Sequence, residues 1–206
     1  MPKVIKDLQV KILEVAEELF SERGYNNVDM RAISSKVGIA VGTLYNYFPD
    51  KRSLFIEVFN QSWKKIFLKL DRIIESDYNS HEKLFLFTAK VYEAIVQRKG
   101  MGVHLLIDPL HGVPISIVGK GNNVEVKGLE EIGKVLKKKA KILIKQMVDD
   151  QSAELDEHIL DNLTNALLLL IWGFVSKQSQ CKARDVDFIC DMIEFYISKK
   201  ACKNLI

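Results

Sequence analysis

Residues 41–47 read Val-Gly-Thr-Leu-Tyr-Asn-Tyr. At helical spacing Leu44 turns inward, which leaves Val41, Gly42, Thr43, Tyr45, Asn46 and Tyr47 to face outward. Two tyrosines, a threonine, an asparagine and a glycine on one short face exceed what solubility asks for. Hydroxyls and amides donate to phosphate oxygens, and a glycine lets another backbone approach closely. Valine suits a thymine methyl group, and an asparagine amide pairs with a base edge or a phosphate. The chemistry of this face is recognition of double-stranded DNA.

Such a face must be held rigidly, and the flanking sequence supplies the means. Asp29 precedes Met30 to Val37 as a helix cap, and Gly38 ends that helix with a turn. Ile33, Val37, Ile39, Leu44 and Phe48 are spaced to lock the two short helices onto a first helix. That first helix carries Ile5, Leu8, Ile12, Val15, Leu19 and Phe20 and stops at Gly24. Ser34 is small at the point where a large side chain would push the helices apart. The pattern is a helix-turn-helix.

Local charge agrees with a DNA partner. Residues 29–52 hold four cations (Arg31, Lys36, Lys51, Arg52) against two acids (Asp29, Asp50), a net charge of +2. Both acids occupy cap positions, where helix dipoles offset their charge. The start of the fourth helix, with Lys51 beside it, is expected to be a phosphate site, and Lys3 and Lys6 to add contacts from an arm. The whole chain, 206 residues with a net charge of +3, is too nearly neutral to imply nucleic acid from bulk charge.

The sequence resembles the TetR family of transcriptional regulators. The resemblance rests on Phe20-x3-Gly24-Tyr25, on Ile33-x4-Gly38-Ile39, and on Gly42-Thr43-Leu44-Tyr45-Asn46-Tyr47-Phe48-x2-Lys51-x2-Leu54, within residues 5–60. It implies a homodimer with one helix-turn-helix per subunit, a palindromic operator, repression, and release by a small molecule bound in the C-terminal domain. Carried over by position, it implies DNA contacts at Arg31, Thr43, Tyr45, Asn46, Tyr47 and Lys51. Two positions depart from the common pattern. Ala40 stands where a capping Ser or Thr is frequent, and Val41 where a polar or basic residue is common.

Beyond residue 50 the chain reads as further helix. A long fourth helix over 51–75 carries apolar residues too broadly for a lone surface helix, and Leu84 to Val96 continues the pattern. Residues 100–128 hold six of the eleven glycines and two of the four prolines, and read as a broken helix and a loop. A strand over Val113 to Val118 is disfavoured by Pro114. Helix resumes at Leu129, with Lys134, Lys138, Lys141 and Lys145 along a solvated face, and two more helices span about 155–177 and 185–200. The expected fold is all-α: a helix-turn-helix domain over 1–50, connected through helix 51–75 to an effector-binding and dimerisation domain over 51–206.

The run from Ala166 to Val175 is apolar on all sides and is about half of the roughly 20 residues a bilayer span needs. Burial on all sides implies a subunit interface, with the last two helices pairing with their copies as a four-helix bundle. Trp172, Phe174, Phe188, Ile189 and Phe195 are the expected anchors. An apolar effector pocket is expected among Trp63, Phe67, Phe85, Tyr92, His104, His111 and Trp172. His104, Asp108 and His111 fall at i, i+4 and i+7, but Pro109 interrupts the helix that would gather them, so no metal site is expected. No cofactor motif, nucleophile elbow or Gly-rich phosphate loop occurs, and no enzymatic activity is expected. Cys181, Cys190 and Cys202 show no zinc spacing and read as reduced packing thiols. A cytoplasmic protein without a signal peptide is expected. The alternative reading is an architectural or partner-binding DNA protein that uses the same helix-turn-helix without an effector.

Overall fold

The computed structural model describes residues 3–97, 116–119, 122–125, 129–177 and 181–203. Among these, the helices in chain order are α1 (Lys3–Arg23), α2 (Met30–Val37), α3 (Val41–Tyr47), α4 (Lys51–Ile74), α5 (Ser80–Gln97), α6 (Leu129–Asp150), α7 (Glu157–Ser176) and α8 (Lys182–Lys203). A 3-10 turn, Tyr25–Asn27, lies between α1 and α2. The all-α class stands, with one addition. Strands β1 (Ser116–Gly119) and β2 (Asn122–Glu125) form an antiparallel hairpin, Ser116 opposite Glu125 and Gly119 opposite Asn122. Pro114 does not prevent it, because it falls two residues before β1 and removes no ladder hydrogen bond.

The chain divides into two compact units, with the boundary inside α4 between Lys65 and Ile66. In the first, α1, α2 and α3 pack together around Ile12, Leu19, Phe20, Ile33, Val37, Leu44, Leu54 and Phe55, all buried. Aromatic rings run along this core. Phe20 meets Phe55 edge to face with centroids 5.2 Å apart, Tyr25 meets Phe55 at 4.9 Å, and Phe59 and Trp63 continue the series. Such pairs add to stability beyond the area they bury.

The second unit comprises the rest of α4 with α5 to α8. Its core includes Leu70, Leu84, Phe87, Val91, Leu143, Met147, Leu167, Ile171, Ile189 and Ile193. Helix α5 begins four residues before Leu84. The reason is a reciprocal cap: Asn79 Oδ1 accepts from the Glu82 amide at 2.9 Å, and Glu82 Oε2 accepts from the Asn79 amide at 3.1 Å. Asp156 caps α7 by accepting from the Ile159 amide at 2.8 Å. By length and composition alone α7 is long and apolar enough to cross a membrane, a test that a buried core helix also passes. Here α7 packs against α6 and α8, with Leu160, Leu163, Leu167, Leu168, Ile171 and Val175 buried within the chain.

Candidate nucleic-acid interface

Helices α2 and α3 have the bounds their sequence implies, and the capping chemistry shows why. Asp29 Oδ1 accepts from the Ala32 amide at 2.7 Å. Gly38 adopts left-handed angles (φ 83°, ψ 36°), and its amide donates to the Ser34 and Ser35 carbonyls. The Ile39 amide also donates to Ser34 O, at 3.0 Å, which closes the turn. A residue with a Cβ at position 38 would be strained. Ser34 is buried, its hydroxyl donating to the Arg31 carbonyl at 3.0 Å. Ala40 supplies no side-chain cap to α3, and its carbonyl, accepting from the Thr43 amide at 2.9 Å and the Leu44 amide at 3.3 Å, anchors the first turn.

Leu44 and Phe48 are buried, and this fixes the outward face. Gly42, Tyr45 and Asn46 are exposed, Tyr45 by 49% of its surface. Val41, Thr43 and Tyr47 are half-buried at the sides. Arg31 is exposed on α2. A Cβ added at Gly42 would meet nothing within 4 Å, so the space before it is open. Lys36 pairs with Glu18 of α1 at 2.8 Å. Asp50 Oδ1 accepts from the Ser53 amide at 2.7 Å and caps α4; that hydrogen bond holds the Asp50 carboxyl below the usual carboxylate range.

Lys51 opens α4 as its sequence position implied, and its ammonium turns toward the connection between α1 and α2. Its ammonium donates to the carbonyls of Tyr25 and Val28, both at 2.9 Å, and sits 4.3 Å from the centre of the Tyr25 ring. Burial lowers its pKa. The side chains of Lys3 and Lys6 lie outside the described residues.

Of the residues expected to line a pocket, five lie among the described residues. Trp63 is fully buried at the end of the aromatic series. Phe67 is half-buried, with the Lys139 ammonium 5.8 Å from its ring centre. Phe85 and Trp172 are half-buried, and Tyr92 is buried with its hydroxyl donating to Asp185 at 2.7 Å. His104, Asp108 and His111 lie outside the described residues. A surface groove of about 540 Å³ is lined by Arg72, Ile73, Ser76, Asp77 and Tyr78. Among the described residues no group of three His, Cys, Asp or Glu side chains could hold a metal ion. Of the cysteines, Cys190 is buried and its thiol is pushed up to about 12 by desolvation, whereas Cys181 is exposed and is no packing residue.

The expected interface anchors separate by helix phase. Phe188 and Phe195 are exposed, by 49% and 68%, together with Met192 and Tyr196. Trp172 and Phe174 are half-buried, and Phe174 lies 5.6 Å from Phe188, centre to centre. Ile189 points the other way, fully buried in the chain's own core, and is not an anchor.

Residues 12–58, the span that holds this helix-turn-helix, match the family model of bacterial regulatory proteins of the tetR family. Over these residues the chain is similar to the tetR family. The HTH-type transcriptional repressor KstR of Mycolicibacterium smegmatis is 30% identical over 90 residues, 44% of this chain and 44% of KstR. An HTH-type transcriptional regulator of Staphylococcus aureus is 37% identical over 81 residues, 39% of this chain and 43% of that protein. The chain thus spans less than half the length of these curated relatives. Similarity of fold extends further. The structure of the transcriptional regulator FadR from Bacillus subtilis in complex with stearoyl-CoA covers 89% of this chain and 96% of its own, with a TM-score of 0.62 at 17% identity. FadR from Bacillus halodurans covers 91% and 94%, with a TM-score of 0.65 at 16% identity. Similarity of fold to these structures therefore extends over both units, while sequence similarity to the curated relatives is confined to less than half of the chain.

Proposed function

We propose that this chain is a transcriptional regulator of the tetR family, a repressor that binds a palindromic operator as a homodimer and leaves it when a small, mainly apolar effector binds. The observation that carries the reading is the outward face of α3. Gly42, Tyr45 and Asn46 are exposed on a helix whose other side is locked by Leu44 and Phe48. Arg31, Val41, Thr43 and Tyr47 flank that face and complete the proposed contacts. A cytoplasmic location follows from the partner.

Dimerisation through α7 and α8 is supported by the apolar surface they leave uncovered. Phe188, Met192 and Phe195 recur at i, i+4 and i+7 on α8, beside the half-buried Trp172 and Phe174. Two α3 helices must stand about 34–36 Å apart, or a multiple, to enter successive major grooves. An effector releases DNA only if it binds the DNA-incompetent spacing better. The FadR structure holding stearoyl-CoA makes long-chain acyl thioesters a first class to screen.

The test is fluorescence anisotropy with duplexes drawn from upstream of the chain's own gene, against a scrambled duplex, at two salt concentrations. Selective binding that weakens with salt supports the reading. Equal, weak binding to every duplex from a genome-wide selection contradicts it.

A further inference from the structure

The ammonium of Lys51 has three N–H donors and no acceptor. Two donors go to the carbonyls of Tyr25 and Val28, each at 2.9 Å, and the Tyr25 ring lies beneath it at 4.3 Å. These partners belong to the connection between α1 and α2, 26 and 23 residues earlier in the chain. Tyr25 opens the 3-10 turn, and Val28 is the residue before the Asp29 cap of α2. Lys51 itself is the first residue of α4. A cation there is opposed by the helix dipole, so the position is unfavourable unless other partners hold it. The carbonyls and the ring are those partners.

We propose that Lys51 is a positioning residue that fastens the entry of α2 to the first turn of α4, and that its ammonium does not contact a DNA phosphate. This rests on the DNA-binding reading above and sharpens it. The α2–α3 pair is covalently joined to this entry at Asp29. A strap from α4 to Val28 O therefore sets the angle at which α3 is presented. Moving the ammonium off these carbonyls and out to a phosphate would break two charge-assisted hydrogen bonds and leave two carbonyls unpaired in a half-buried place. The cation–ring contact would be lost as well.

The experiment uses the full chain and two readouts, thermal unfolding and the dependence of DNA affinity on salt. Lys51→Met keeps the stem and removes the donors. Its unfolding midpoint is expected to fall by about 5 °C. Its affinity is expected to fall several-fold while the slope of log K against log salt stays that of the unsubstituted chain. A lysine that neutralises a phosphate would instead make that slope shallower by about one. A slope shallower by one, or an unchanged midpoint, overturns the proposal. Should Lys51→Met not fold, Lys51→Gln, which retains donors on a shorter stem, replaces it in both arms. Tyr25→Leu closes a thermodynamic cycle. The double variant is expected to melt higher than the summed single losses imply, and strict additivity overturns the proposal. If the unsubstituted chain binds no DNA, the functional reading fails, while the melting cycle still decides whether Lys51 is the strap.

Discussion

The Tyr92 hydroxyl donates to Asp185 at 2.7 Å, and both side chains are buried. The bond ties α5 to the first turn of α8, the helix that carries the exposed Phe188–Phe195 stripe. Removing the hydroxyl takes a partner from a buried carboxylate. Tyr92→Phe is therefore expected to destabilise the second unit by about 1–3 kcal/mol, read by denaturant unfolding.

The same bond gives a pH dependence. Desolvation first, then the Asp185 carboxylate, pushes the Tyr92 pKa from 10.0 up to about 12. The folded state holds the proton more tightly than the unfolded state does. Its contribution is thus complete below about pH 10 and is lost as pH rises toward 12. The raised Cys190 thiol acts in the same direction. Tyrosinate absorbance is expected to show a late step near pH 12 that Tyr92→Phe loses.

Gly42 separates folding from binding. Inside a helix glycine costs roughly 1 kcal/mol relative to alanine, and here no neighbour excludes a Cβ. Gly42→Ala is expected to raise stability slightly and to weaken operator binding at least tenfold, because a methyl group would occupy the space of close approach. Unchanged affinity would remove Gly42 from the interface.

Ala40 leaves the first turn of α3 without a side-chain cap. Ala40→Ser is expected to stabilise the first unit by about 0.5–2 kcal/mol. Differential scanning calorimetry would show it as a raised midpoint, and no gain would mean that the extended angles at Ala40 do not suit a serine cap.

Phe195 is exposed by 68% within the chain. Phe195→Glu is expected to leave each subunit folded and to shift the protein to monomers by analytical ultracentrifugation, since a carboxylate buried without a partner is costly. A stable dimer would place the interface elsewhere.

The helix-turn-helix was legible because its determinants are local. Asp29 and Gly38 act within three or four residues, and Leu44 fixes the phase of α3. The start of α5 is equally local, in Asn79-x-x-Glu82, but the apolar pattern begins only at Leu84. The hairpin was obscured by Pro114, whose cost depends on whether it lies inside or just before a strand. The direction of Lys51 was not legible, since its partners lie 23 and 26 residues away and a long flexible stem serves a phosphate or a carbonyl equally well. Trp63 shows the same limit: a large apolar side chain reads alike whether it lines a cavity or fills a core.

The central claim is that the exposed side of α3 reads DNA. The most direct measurement compares the unsubstituted chain with Tyr45→Ala and Asn46→Ala on a selected operator and on a scrambled duplex. The structure exposes both side chains, so the variants should fold as the parent does. The account predicts that each loses about 1–3 kcal/mol of operator affinity with little change on the scrambled duplex, narrowing the selectivity between them. Full operator affinity in both variants, with their unfolding midpoints unchanged, would contradict it.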